Sequence, residues 1–363
     1  MDKIAGRMKK IICLIDALGA GGAERQMAGL SSLLFRKGYT VEVWYFEPKH
    51  FFKKQIEEIG VVVKYFDYKK SKVNLYKRLK EELVNCNPEV VITYLQTSSI
   101  LASIIKLFGG KYSLIISERN TNTSIRLRDI IRFNLYRVAN YIVPNSFSQK
   151  NFIDRKFKFL SKKIHVIVNY VDTDFFVPSN HLKSNKILVV ATIWPSKNTL
   201  GFIRSIKILK EKGLDFHVKW FGKVPDKTAY VIQCEELIKK LSLEREIELL
   251  NKISDIKEEY QKADYFCLPS FYEGTPNVLC EAMSCGLPIL CSDVCDNQKY
   301  VENNTNGYLF NPNDPNDIAT ALEKILRLPV EEYNIMCENN RKKAIDVFSK
   351  DEFIYKYIEL LES

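Results

Sequence analysis

The sequence predicts an α/β protein built from parallel, doubly wound sheets. Three observations lead there. Short apolar runs such as Ile11-Ile-Cys-Leu-Ile15, Val90-Val-Ile-Thr-Tyr94 and Ile289-Leu-Cys-Ser292 alternate with longer helical segments along the whole chain. That rhythm belongs to parallel strands joined by crossover helices. Two runs lead into glycine-containing turns that open a helix, one at Gly19-Ala-Gly-Gly-Ala-Glu24 and one at Gly274-Thr-Pro-Asn277. The length, 363 residues, is long for one core and comfortable for two.

In chain order, residues 11–15 form a buried strand, 26–36 a helix, and 41–46, 61–63 and 90–94 further strands. The basic stretch 69–80 repeats Val73, Tyr76 and Leu79 every three residues, which places them on one helical face. A helix at 99–107 and a strand at 114–116 lead into Ser117-Glu-Arg-Asn120. Strands at 141–144 and 165–168 close the first core. Asn169-Tyr-Val-Asp-Thr-Asp-Phe-Phe176 reads as a hinge, with Asp172 and Asp174 in turn and capping roles. The second core takes strands at 186–192, 216–222, 246–250, 264–268, 289–292 and 306–310. Helices follow at 315–326, 331–348 and 352–361, the first capped by Asp314 with Pro315 in its opening position.

Composition excludes several classes. Apolar residues make up 46% and aromatics 12%, which suits packed interiors and not disorder. No run of 18 apolar residues occurs and the first residues lead straight into a strand, so neither a transmembrane helix nor a signal peptide is expected. The nine cysteines lack a paired framework. Cys280, Cys285, Cys291 and Cys295 cluster without zinc-pair spacing, so reduced core thiols in a cytosolic protein are expected. None of the four histidines shares a short motif with a Ser, Cys or carboxylate. Catalysis must then lean on carboxylates, cations and backbone.

The stretch from Asp264 to Asp293 organises the second core: a strand, a turn, a short helix and a parallel strand. Thr275 is expected as N-cap and Pro276 as the first helical residue, with Gly286 and Pro288 ending the helix. The backbone N–H groups of Gly274 to Val278 then sit at a positive helix end that suits a phosphate. Glu273 lies just before the cap, and Glu281 roughly 9 Å up the helix at 1.5 Å per residue. That is about the reach from a diphosphate to a ribose, whose hydroxyls a carboxylate accepts well. A plain strand–helix–strand unit with two solvated glutamates fits the same spacing.

The pattern Ser270-x-x-Glu273-Gly-x-Pro-Asn-Val-x-x-Glu281-Ala-Met-x-x-Gly286-x-Pro288 resembles the signature of retaining family-4 glycosyltransferases of the GT-B fold. The resemblance implies two Rossmann-like doubly wound domains facing a cleft. Residues 1–170 would be the acceptor side, 171–345 the nucleotide-sugar side, and 346–363 a helix returning to the first domain. It implies transfer of a hexose or N-acetylhexosamine from a nucleotide-sugar, UDP-linked on family grounds, with retention at the anomeric carbon. The acceptor would be a glycan, taken in lipid-linked form for cell-surface polysaccharide synthesis, and no metal would be required.

Residue by residue, Glu273 would hold sugar hydroxyls or face the anomeric region, and Glu281 the ribose. Gly274, Thr275, Asn277 and Val278 would touch sugar and phosphate. Lys197 would neutralise the leaving diphosphate, without the usual arginine partner, since Thr192 stands there. Lys252 would lie beside the base. Gly21 and Gly22 would close over the diphosphate, although Glu24 takes the third glycine position of an otherwise dinucleotide-like turn. Glu118 and Arg119 stand where many relatives carry a histidine. Arg119 either faces phosphate or acceptor as a cation, or makes a structural pair with a carboxylate. Asp172-Thr-Asp174 also spells the Asp-x-Asp metal motif of the other large glycosyltransferase fold, but at a mid-chain hinge. A nucleotide-sugar epimerase and a non-catalytic nucleotide-sugar-binding subunit are the alternatives.

Charge is uneven. Residues 1–180 hold 30 Lys+Arg against 16 Asp+Glu, net +14, and residues 181–363 hold 24 against 28, net −4. Lys69, Lys70, Lys72, Lys77, Arg78 and Lys80 around an apolar face suit an anionic membrane surface. A cytoplasmic enzyme attached peripherally to the inner membrane face is the expectation. No nucleic-acid recognition motif accompanies the charge.

Overall fold

A computed structural model describes residues 9–68, 71–119, 125–180, 182–223, 228–253 and 255–363. The chain forms two compact units, Met1–Val168 with Phe353–Ser363, and Asn169–Glu352.

The first unit holds β1 (Lys10–Ile15), β2 (Thr40–Tyr45), β3 (Val62–Tyr65), β4 (Val90–Tyr94), β5 (Ser113–Glu118) and β6 (Tyr141–Pro144), in the order β3-β2-β1-β4-β5-β6. Every pairing is parallel. Its helices are α1 (Gly22–Arg36), α2 (Lys53–Glu58), α3 (Lys72–Cys86), α4 (Gln96–Leu107), α5 (Leu127–Leu135) and α6 (Phe147–Lys156). The core packs sheet residues Ile12, Leu14, Val91 and Ile116 against Leu75, Leu79, Ala102 and Phe133 of the helices.

The second unit holds α7 (Thr199–Glu211), α8 (Ala229–Lys240), α9 (Lys257–Lys262), α10 (Asn277–Ser284), α11 (Asn297–Tyr300), α12 (Pro315–Leu326) and α13 (Val330–Phe348). Its strands β7 (Lys186–Val190), β8 (His217–Lys223), β9 (Ile247–Asn251), β10 (Tyr265–Leu268), β11 (Ile289–Ser292) and β12 (Gly307–Phe310) run parallel in the order β12-β11-β10-β7-β8-β9. Counted from its own first strand, this is the order of the first sheet repeated. The doubly wound order reverses direction beside β1 and β7, and such switch points are where ligands gather. Trp220 anchors the second core at 0% exposure with its indole N–H on Ala191 O at 2.7 Å. Beside it, Gly222 is required by space, since a Cβ there would lie 1.8 Å from Ala191 O.

The last helix, α14 (Lys350–Glu362), lies mostly in the first unit, from Phe353 onward. There the Tyr357 hydroxyl meets that of Tyr94 at 3.0 Å.

Two expectations need correction here. Residues 165–168 form no strand: one isolated bridge, Ile142 with Ile164, and bonds from His165 and Ile167 to β6 are all the pairing described. In α3 the buried stripe is Leu75, Leu79 and Leu83, four apart, whereas Val73 is 63% exposed. A spacing of three drifts around a 3.6-residue helix, and the four-residue spacing follows the core-facing row. Lys69 and Lys70 lie outside the described residues.

All nine cysteines are free thiols. Burial pushes Cys13, Cys234 and Cys285 up to about 12, so they stay protonated. No described helix is long and apolar enough to cross a membrane.

Candidate functional site

β10 delivers the chain to its C-terminal edge, and α10 leaves from the same edge after eight intervening residues. The helix begins at Asn277, with Pro276 as its N-cap at φ −74° and ψ 124°. The expected cap is therefore shifted by one residue. An extended ψ keeps Pro276 out of the helix, and Thr275, 2% exposed, turns its hydroxyl inward to within 3.3 Å of Tyr300 Oη. The first N–H groups of α10 lack intrahelical acceptors by geometry and aim beyond its positive end. Asn169 stitches this turn, its Nδ2 donating to Thr275 O and to Asn277 Oδ1, both at 2.7 Å. Sequence reasoning read Asn169 only as the start of a hinge. The available signal was an amide directly behind the apolar run 165–168.

Glu273 meets Lys197 across 76 residues of sequence, with Nζ 2.6 Å from Oε1. The two side chains are 12% and 27% exposed. The local fold explains the encounter. After β7 a 3₁₀ turn, Pro195–Lys197, ends at Asn198 in the left-handed region (φ 57°), and α7 starts at Thr199. The Phe271 N–H donates to Ser196 O at 2.9 Å, so the two loops are joined by backbone as well. Thr192 is exposed and supplies no second cation.

Glu281 sits in the second turn of α10, about 6 Å beyond Asn277 at the helical rise. It is 3% exposed, not a solvated glutamate. Its Oε2 accepts from Tyr260 Oη at 2.9 Å, and the same hydroxyl lies 3.2 Å from Val278 O. Burial of a carboxylate is tolerated only with such donors. Gly274, Asn277 and Val278 are partly exposed along the turn. Lys252 follows β9, exposed, with its N–H on Lys223 O at 3.0 Å.

The first unit treats its expected site residues differently. Arg119 is partly exposed and lies against tyrosines. Its guanidinium carbon lies 4.1 Å from the centre of the Tyr94 ring, and Nη2 donates to the hydroxyls of Tyr94 and Tyr357, the latter at 3.1 Å. Burial holds the Tyr94 phenol well above its ordinary pKa, so it remains a neutral partner. Glu118, at 3% exposure, receives Arg132 Nη1 at 2.8 and 2.7 Å and Tyr136 Oη at 3.0 Å. Asp129 completes the cluster at 3.2 Å from Arg132 Nη2. Burial works against the Arg132 charge, but Glu118 and Tyr136 outweigh it and its pKa is raised.

Gly21 is the N-cap of α1 and Gly22 its first residue. A Cβ on Gly21 would come 2.3 Å from Glu24 Oε2, so the chain's own carboxylate already lies against this helix end. At the end of β1, Asp16 Oδ1 accepts from Ser98 N and Oγ at 2.8 and 2.5 Å, and burial raises its pKa. It is a strand-end carboxylate that sequence reading passed over. Asp172 caps its turn through the N–H groups of Asp174 and Phe175, both at 3.2 Å. Lys350 Nζ lies 2.9 Å from Asp172 and 2.8 Å from Asp174, so a lysine occupies the space between the Asp-x-Asp carboxylates.

Comparison with known proteins now defines the class. Residues 171–343 match the family model described as Glycosyl transferases group 1, and residues 20–175 match that of Glycosyltransferase Family 4. The chain is a glycosyltransferase of this two-domain family type, with the GT-B fold. Among its relatives, it is 27% identical to an Escherichia coli UDP-Gal:alpha-D-GlcNAc-diphosphoundecaprenol alpha-1,3-galactosyltransferase, over 77% of this chain and 76% of that protein. It is 24% identical to a Campylobacter jejuni alpha-1,4-N-acetyl-D-galactosaminyltransferase acting on a GalNAc-alpha-(1->4)-GalNAc-alpha-(1->3)-diNAcBac-PP-undecaprenol, over 98% of both chains. The crystal structure of Anabaena Alr3699/HepE in complex with UDP superposes with a TM-score of 0.85 at 18% identity, covering 97% of this chain and 99% of that one.

Proposed function

We propose that the protein is a retaining glycosyltransferase that moves a hexose or N-acetylhexosamine from a UDP-sugar to a lipid-linked glycan acceptor in cell-surface polysaccharide synthesis. The observation that carries this is the Lys197–Glu273 pair at 2.6 Å beside the N-terminus of α10, with Glu281 on the same helix. A partly exposed pair can exchange partners. An arriving diphosphate takes Lys197 and the first-turn N–H groups, and this frees Glu273 for the sugar hydroxyls or the anomeric region. Cation and helix end then meet the charge that develops on the leaving diphosphate, where preorganised donors contribute most. Glu281, already held by Tyr260, takes the ribose, and Lys252 lies beside the base. Gly274, Thr275, Asn277 and Val278 line the sugar and phosphate path. Gly21 and Gly22 offer N–H groups to the diphosphate once Glu24 swings away. Arg119, bonded to Tyr94 and Tyr357, is the first unit's candidate cation for phosphate or acceptor. No metal is required in this reading.

The E. coli and C. jejuni relatives act, by name, on undecaprenyl-diphosphate-linked glycans, and the Anabaena structure holds UDP, which supports the choice of donor and acceptor. Attachment to the inner membrane face from the cytoplasm is proposed through exposed basic-apolar faces of the first unit. On α3, Val73, Lys77, Lys80 and Val84 share one face, with the valines 63% and 66% exposed. On α5, Leu127, Ile130 and Ile131 are exposed beside Arg126 and Arg128. The reading is tested by thermal shift against a panel of nucleotide-sugars, followed by transfer to synthetic polyprenyl-diphosphate glycans. Tight donors raise the apparent melting temperature by mass action. A protein that no nucleotide-sugar stabilises, or that releases epimerised donor without any acceptor, overturns it.

A further inference from the structure

The two loops that carry the Lys197–Glu273 pair also carry exposed aromatic side chains that the chemistry above does not use. Trp194 is 53% exposed, Tyr272 47% and Phe271 37%. Scattered exposed apolar residues need no explanation, but a gathering of large ones does. The backbone brings the loops that carry these three together. Trp194 is the N-cap of the 3₁₀ turn that ends at Lys197, Phe271 and Tyr272 immediately precede Glu273, and the Phe271–Ser196 backbone bond pins the two loops together. The chain has three tryptophans. Trp44 and Trp220 are buried, at 1% and 0%, so only here does the fold leave an indole in water.

We propose that Trp194, with Phe271 and Tyr272, forms a stacking rim for the pyranose ring of the donor, which makes Trp194 a specificity-determining residue. This rests on the donor reading given above. A pyranose presents hydroxyls around its edge and a patch of weakly positive C–H groups on a face. Aromatic rings carry negative charge on theirs. Lys197 and Glu273 address the hydroxyl edge while the rim takes the C–H face. A sugar whose axial hydroxyl clears one face offers the larger patch. The nucleobase is the other flat group of a nucleotide-sugar, but it lies at the opposite end of the diphosphate. With the diphosphate at the N-terminus of α10, the ribose follows the helix to Glu281, whereas the rim precedes the helix in the chain.

Because Trp194 is the one solvent-open indole, acrylamide quenching of the intact protein's fluorescence reports on it. Quenching is measured with UDP, UDP-glucose, UDP-galactose and UDP-N-acetylgalactosamine, alongside melting temperature for the same ligands. The expected result is that a UDP-sugar lowers the quenchable fraction about twofold while UDP alone raises the melting temperature without protecting Trp194. Trp194→Ala should raise donor KM by roughly 2- to 10-fold, the range of an aromatic contact, and flatten the preference among the three sugars, with Trp194→Phe restoring most of it. A UDP-sugar that raises the melting temperature and leaves quenching unchanged sinks the rim alone. Full protection by UDP assigns the stacking to the base and overturns the sugar claim. No stabilisation by any of the four ligands removes the donor reading itself, and this inference with it.

Discussion

The two units repeat one sheet order and treat charge at the strand ends in opposite ways. In the first, Glu118 lies 3% exposed among Arg132, Asp129 and Tyr136, and Arg119 is stacked on Tyr94 and bonded to Tyr357. In the second, Lys197 and Glu273 meet at the surface, 27% and 12% exposed. A buried ion cluster fixes the segments it joins, and opening it would strand a charge in low dielectric. A partly exposed pair costs less to open than a buried cluster, which is what the proposed exchange with a ligand needs. Position at the end of a parallel strand is therefore not enough to make a ligand contact. Exposure decides which strand-end charges can be exchanged.

That contrast breaks most visibly through Glu118. Glu118→Ala should destabilise the first unit by about 3–5 kcal/mol, because Arg132 is left buried without its main partner. In a calorimetric scan this is a fall of roughly 6–20 °C for a unit of this size. Glu273→Ala should leave the melting temperature nearly unchanged. Equal shifts for the two variants would refute the contrast.

Glu281 sharpens it, as a buried carboxylate inside the exchangeable unit. Glu281→Ala should weaken UDP-sugar binding by roughly 2–4 kcal/mol, the loss of two charge-assisted ribose hydrogen bonds. Tyr260→Phe should cost about 1 kcal/mol by loosening the carboxylate. Isothermal titration with folded variants reads both. Parent-like affinity in Glu281→Ala would end the ribose assignment.

A smaller effect is expected from the exposed pair in turnover. Lys197→Ala should lower kcat roughly 100-fold at saturating donor, as for removal of one donor that stabilises developing charge. The double variant with Glu273→Ala should fall less than the product of the single effects, because the two residues act together. Strict multiplicativity in steady-state kinetics would mean that they act independently.

The basic faces of the first unit come next. Neutralising Lys77 and Lys80 should weaken sedimentation with anionic vesicles by about 1 kcal/mol per residue, with binding that falls as salt rises. Binding to neutral vesicles at equal strength would leave a soluble acceptor. The smallest expected effect is that of EDTA. Activity should persist in excess chelator, because Lys350 fills the space between Asp172 and Asp174. Loss of activity with rescue by manganese would reverse that prediction.

The alternation of apolar runs and helices was enough to specify two doubly wound parallel sheets, because burial on both faces of a strand and one face of a helix is written in local periodicity. Several elements were legible to the residue: β4, β6, β11 and α12 with its Asp314 cap. The segment Ser270 to Pro288 disclosed a turn and a short helix for the same reason, and its resemblance to family-4 glycosyltransferases supplied the candidate donor residues. What the sequence could not decide was which partner each charge would meet. Lys197 and Glu273 are 76 residues apart, Arg119 and Tyr357 are 238 apart, and Asn169 reaches Asn277 over 108. Those encounters depend on where the sheet order brings strand ends together. Burial then separates Glu118 from Glu273, and their partners separate Arg119, held by tyrosines, from Lys197, held by a carboxylate. Local chemistry determined the fold and the candidate residues; only the tertiary structure determined which of them are locked inside and which remain open to a ligand, because burial and long-range pairing are properties of the assembled sheet and not of any segment of the chain.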